Sequence, residues 1–96
     1  MKHATTSGLG RIEQLLTEIR TFKGLREKSP GVFYFRTKAF LHFHEDPAGI
    51  FADLRAVSNW ERMPVNAKNE QARLLRKIRT FVVAHASSQR RDTTQL

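Results

Sequence analysis

No cysteine occurs among the 96 residues, which excludes disulfide staples and thiol catalysis. No apolar run approaches the roughly 20 residues that a membrane-spanning helix needs. The opening MKHATTSG lacks the apolar stretch of a signal peptide, so the expectation is a cytoplasmic protein with no membrane partner. Acidic residues are scarce. Nine Asp and Glu stand against seventeen Lys and Arg, for a formal net charge of +8. A balance of that kind favours acidic partners, either nucleic acid or an acidic protein. Catalytic signatures are also missing. No serine sits in a G-x-S-x-G context, and Gly8-Leu9-Gly10 is too short to cradle a phosphate. No internal repeat, RNP-like Gly-Phe motif or helix-turn-helix pair is visible. The expectation is a binding protein with no enzymatic role, no catalytic residues and no cofactor.

What is present centres on Val32 to Arg55, VFYFRTKAFLHFHEDPAGIFADLR. This stretch holds most of the phenylalanines, the only tyrosine and two of the four histidines. Val32 to Phe35 is aromatic and suits a half-buried strand. Ala39 to His44 alternates, with Ala39, Leu41 and Phe43 on one side and Phe40, His42 and His44 on the other. Ile50 to Arg55 alternates again. Glu45-Asp46-Pro47-Ala48-Gly49 is a turn in which Asp bonds its own backbone, Pro presets φ and Gly supplies φ > 0.

Loop length then fixes the register, since a shift of one residue reverses every side chain. A four-residue connection at Asp46 to Gly49 sets Leu41 opposite Leu54, Phe43 opposite Ala52, His42 opposite Asp53 and His44 opposite Phe51. A three-residue loop at Arg36 to Lys38 sets Phe33 opposite Leu41 and Tyr34 opposite Phe40. The expected core face is Phe33, Phe35, Leu41, Phe43, Ile50, Ala52 and Leu54. The expected mixed face is Tyr34, Phe40, His42, His44, Phe51, Asp53 and Arg55.

The flanks read as helices. Leu9, Ile12, Leu15, Leu16, Ile19 and Phe22 recur at three- and four-residue spacing. Ser7 or Thr6 is placed to cap that helix and Gly24 to end it. Leu25 to Gly31 reads as a connector and Ala56 to Asn59 as a turn. Trp60 to Val65 suits an edge strand, where Pro64 is tolerated. Asn66 is a candidate N-cap for a second helix over Ala67 to about His85, whose stripe is Gln71, Leu74, Leu75, Ile78, Phe81, Val82 and His85. The expected fold is therefore α+β: a two-layer sandwich with an N-terminal helix, a three- to four-stranded antiparallel meander and a C-terminal helix. It forms one domain over residues 7–85, with flexible tails at 1–6 and 86–96.

Three constellations carry possible chemistry. The first is the mixed sheet face, where Tyr34 and Phe40 lie among Arg36, Lys38 and Arg55. Rings and cations in that arrangement suit a nucleic-acid single strand, whose bases stack and whose phosphates pair. The second is the basic side of the C-terminal helix, where Arg73, Arg76 and Lys77, with Lys68 and Arg79, suit phosphates; a solvated helix face is the ordinary reading of such a run and the stronger one. The alternative for the aromatic face, including Phe51, is contact with a protein partner or a second copy, or cover within the monomer. The third constellation is His42 and His44, two residues apart on one strand, with Asp53 across the ladder. These are the candidates for a metal site, and the expectation without a fourth ligand is no metal.

The run from Phe33 to Arg55, with Trp-Glu-Arg-Met-Pro-Val after it, resembles a group of short bacterial proteins sharing K-A-F-L-H-F-H-E-D-P-x-G-x-F-A-D. The resemblance spans roughly Leu25 to Phe81 and carries no established activity. More loosely, the order of helix, Pro-Gly turn, meander and basic helix is similar to the small MmcQ/YjbR-like proteins, for which DNA binding has been suggested. That family's glycine-rich first hairpin has no counterpart here, so no residue role is carried over.

Overall fold

The computed structural model describes residues 2–55 and 59–94, with side chains described for 3–55 and 59–85. Its elements in order are β1 (Lys2–His3), α1 (Thr6–Gly10), α2 (Glu13–Ile19), β2 (Leu25–Ser29), β3 (Val32–Phe35), β4 (Lys38–Asp46), β5 (Gly49–Arg55), β6 (Trp60–Pro64) and α3 (Lys68–Thr94). The strands β2-β3-β4-β5-β6 form an antiparallel meander, and β1 adds to β4. The layout is α+β, with buried side chains of α1, α2 and α3 in one cluster with one face of the sheet.

The β4–β5 register follows the apolar alternation. Leu41 pairs with Leu54, His42 with Asp53, Phe43 with Ala52 and His44 with Phe51. Pairing continues to Asp46 and Gly49, so the loop is Pro47-Ala48, shorter than the four residues expected but of the same parity. Phe33, Leu41, Phe43, Ile50, Ala52 and Leu54 are all buried, and Phe35 packs against them partly covered. Burying each such large side chain contributes about 1.5–3 kcal/mol.

The β3–β4 hairpin departs from expectation. Phe33 does pair with Leu41, but Tyr34 pairs with Ala39 and Phe35 with Lys38. The loop is therefore Arg36-Thr37, with Arg36 at φ 59°, and β4 carries one extra residue, Phe40. A bulge frees that residue from alternation. Phe40 turns away from the histidine side and is 2% exposed. Its assignment to the mixed face is corrected on that ground.

The N-terminal helix is broken. Thr5 caps α1 by accepting from the Gly8 amide, in place of Ser7 or Thr6. Ile12 sits at φ −120°, ψ 27° and separates α1 from α2. Gly8 and Gly10 are weak helix formers, yet the stripe survives the break, with Leu9, Ile12, Leu15, Leu16 and Ile19 all buried. Gly24 follows at φ +91°, and a Cβ there would meet the Phe35 ring at 2.9 Å. A larger residue would be strained at that φ and would have to displace the ring.

The segment read as a connector is strand β2. Its sequence LREKS is largely polar and mostly exposed, so it lacks an apolar signal. Arg20 anchors it through Glu27, with Nε donating to Oε1 at 2.7 Å, and also donates to Glu13 at 2.9 Å. Lys2–His3, expected within a tail, pairs with Glu45 and His44, and the Glu45 carboxylate accepts from the Thr5 amide. At the second helix, Asn66 does not cap with its side chain. Its Oδ1 accepts from the Ile50 amide at 2.8 Å, while the Glu70 carboxylate accepts from the Asn66 and Ala67 amides at 2.9 Å each. The helix runs to Thr94, past the point where its apolar stripe stops. Most of the turn read at Ala56 to Asn59 lies outside the described residues.

Candidate functional site

Two surfaces gather the chemistry-bearing residues. The first lies at one end of the interface between the sheet and α3. Phe35, Phe40, Phe81 and His85 pack together there. Phe40 and Phe81 have centroids 4.6 Å apart, Phe35 meets Phe81 edge-on at 5.1 Å, and Phe81 stacks on His85 at 3.9 Å. Phe81 and His85 are four residues apart on α3 and so share a face. The Phe81 carbonyl accepts a 2.8 Å bond from His85 Nδ1, which assigns the ring proton to that nitrogen.

These rings floor a cavity of about 330 Å³ that is also lined by Arg36, Thr37, Lys38, Ala39 and Arg55. A neighbouring cavity of about 620 Å³ is lined by Phe40, Leu54, Arg55, Glu61, Arg73, Arg76, Lys77, Thr80 and Phe81. Phe40, Arg55 and Phe81 belong to both, so the two join into one groove. Both volumes fall in the ordinary range for ligand pockets.

Seven of the eight residues selected from the sequence line this groove: Arg36, Lys38, Phe40, Arg55, Arg73, Arg76 and Lys77. The eighth, Tyr34, does not. Its ring lies under the Lys28 ammonium at 4.7 Å. Phe40 is a buried floor residue, so it is no open stacking platform. Phe35, Phe81 and His85 are half-buried and offer more ring surface. Sequence reasoning missed Phe81 and His85 as site residues because helical spacing assigned them to the core stripe.

The groove's charge is mostly unopposed. Glu61 is its one acidic lining residue among those described. It holds Lys77 at 3.2 Å and Arg73 at 3.5 Å. Arg36, Lys38, Arg55 and Arg76 have no carboxylate partner among the described residues. Arg36 lies over the Phe35 ring at 5.1 Å and Arg55 over Trp60 at 5.7 Å. Such cation–π contacts position a guanidinium without neutralising it.

The second surface is the opposite face of the sheet. His42 and His44 share it because they are two residues apart on β4. Asp53 faces His42 from β5, and His3 faces His44 from β1. Arg62 lies opposite Asp53 on β6 and clamps its carboxylate, with Nε to Oδ1 at 2.7 Å and Nη2 to Oδ2 at 2.9 Å. His44 Nε2 donates to Asp53 Oδ2 at 3.0 Å. His44 Nδ1 is buried with no hydrogen-bond partner among the described residues. The Arg62 bonds hold the Asp53 carboxyl below the usual range, against the opposing effect of burial. Burial, and then the neighbouring His44, push His42 down from 6.5 despite Asp53. Trp60 packs on His42 with centroids 4.5 Å apart. The sequence showed His42, His44 and Asp53 but not His3, Trp60 or Arg62, whose strands pair only in the tertiary fold.

No protein family, curated protein or solved structure matches this chain. Among the described residues, no helix is long and apolar enough to cross a membrane.

Proposed function

We propose that this protein binds single-stranded nucleic acid along the groove between the sheet and α3. The carrying observation is convergence. Cations from the β3–β4 turn, the end of β5 and one face of α3 meet around a single aromatic-floored groove. Arg73, Arg76, Lys77 and Thr80 share that helix face because three- and four-residue steps bring them into line. Phosphates meet Arg36, Lys38, Arg55 and Arg76. Bases stack on Phe35, Phe81 and His85 at the mouth, where such contacts contribute about 1–3 kcal/mol per base.

Four unpaired cations set the expected salt dependence. For a single strand the logarithmic slope is about −0.7 per phosphate neutralised, so roughly −3 in all. Fluorescence polarisation with labelled oligonucleotides should show that slope, and no binding at about 50 mM salt would reject the reading. The alternative, association with a protein or a second copy through the aromatic face of the sheet, has less to draw on. Phe40 has left that face, and the Tyr34 ring lies under the Lys28 ammonium.

A further inference from the structure

The geometry points to a divalent transition-metal site on the outer face of the sheet, with His42 Nδ1, His44 Nε2 and Asp53 Oδ2 as ligands and His3 beside the remaining position. It uses none of the groove residues and stands or falls independently of nucleic-acid binding. The three residues each place a ligand atom within 4.8 Å of the others. His42 Nδ1 and His44 Nε2 lie 3.4 Å apart. Two nitrogens bound tetrahedrally at about 2.0–2.1 Å stand about 3.3–3.4 Å from one another. The two rings therefore already hold the separation that a shared ion requires.

Hydrogen bonding alone uses this arrangement incompletely. Asp53 Oδ2 and His42 Nδ1 both approach His44 Nε2, at 3.0 and 3.4 Å. One Nε2 proton serves two acceptors, whereas a cation between the three atoms serves all of them. Neighbouring strands hold the set in place. His42 and His44 are fixed by β4, Asp53 by β5, and Arg62 supplies the hydrogen bonds to the ligating carboxylate that metal sites commonly use to orient it. The His3 ring lies 5.1 Å from that of His44 and 6.2 Å from that of His42, close enough to close the coordination sphere. With His44 coordinating through Nε2, its ring proton sits on Nδ1, the buried nitrogen that has no hydrogen-bond partner among the described residues. Two imidazoles and one carboxylate suit zinc and its first-row neighbours better than calcium or magnesium.

Trp60, the only tryptophan, packs on His42 and serves as the reporter. Tag-free full-length protein is titrated with Zn²⁺ by calorimetry and with Co²⁺ by absorption and Trp60 emission. The expected result is saturation at one equivalent with a tetrahedral Co²⁺ spectrum. Affinity should fall at least tenfold in His42→Ala and in His44→Ala, and less in His3→Ala. Melting curves without metal establish that the variants fold. If they do not, histidine NMR resonances of the unaltered protein decide: those of His42 and His44 should shift with Zn²⁺ and that of His85 should not. No saturable binding, binding unchanged in the doubly substituted chain, or a shift confined to His85 would overturn the site.

Discussion

The groove and the outer face of the sheet both combine rings, histidine and arginine, but they treat charge in opposite ways. On the outer face the carboxylate is clamped by Arg62 and His44 at hydrogen-bond distance. Its groups sit on adjacent strands, where pairing fixes their spacing. In the groove, Arg36, Lys38, Arg55 and Arg76 surround aromatic rings with no carboxylate bound to them among the described residues. Those cations ride on long side chains from a turn, a strand end and a helix. The first arrangement is organised around lone pairs that converge on a point, which suits an ion. The second spreads unopposed positive charge along a surface, which suits a chain of phosphates.

Substitutions on each side test this contrast. Phe40→Ala should have the largest effect, because the groove floor is also core. A loss of about 3–5 kcal/mol is expected in denaturant unfolding, and a loss under 1 kcal/mol would place Phe40 outside the core. Arg55→Ala with Arg76→Ala comes next. It should leave the melting temperature nearly unchanged and make the oligonucleotide salt slope roughly 1.4 units shallower; an unchanged slope would remove these two arginines from the interface.

Acid sensitivity should trace to neither surface alone. Arg20 lowers the Glu27 pKa in the folded state from 4.5. The stabilisation from Glu27 is therefore complete above the unfolded value and lost as pH falls through the lowered one. Glu27→Gln should reduce stability at neutral pH and flatten the decline of the melting temperature below about pH 4.5. A decline as steep as in the parent chain would show that other carboxylates dominate.

His42→Ala lies on the outer face and should cost about 1 kcal/mol or less in metal-free protein, far below Phe40→Ala on the same strand. The smallest effect is expected of Tyr34→Ala, which should bind oligonucleotides as the parent does. A clear loss of affinity there would move the interface back to the open sheet face.

Much of the fold was legible because β4 and β5 alternate cleanly. Leu41, Phe43, Ala52 and Leu54 are apolar at period two, and Pro47 with Gly49 punctuates the turn, so the register follows from local pattern. Within β4, Phe40 was the one apolar residue on the histidine side, and that irregularity was the available sign of a bulge. Strand β2 was not legible, since LREKS has no apolar periodicity and is held by pairing to β3 and by Arg20. The break between α1 and α2 was hidden because the buried stripe continues through it.

The candidate residues were chosen by type, and type alone located seven of the groove's lining residues without revealing that they share a groove. The chain's own order determines the alternation of the strands, the apolar stripes of the helices and the excess of positive charge, because each depends on neighbours a few residues away. Only the tertiary structure decides that Phe40 turns toward α3, that Arg36, Arg55 and Arg76 meet, and that His3 and Arg62 reach the β4–β5 histidine and aspartate. Most of those contacts join segments far apart along the chain, and a bulge or an added edge strand changes them without altering any local pattern.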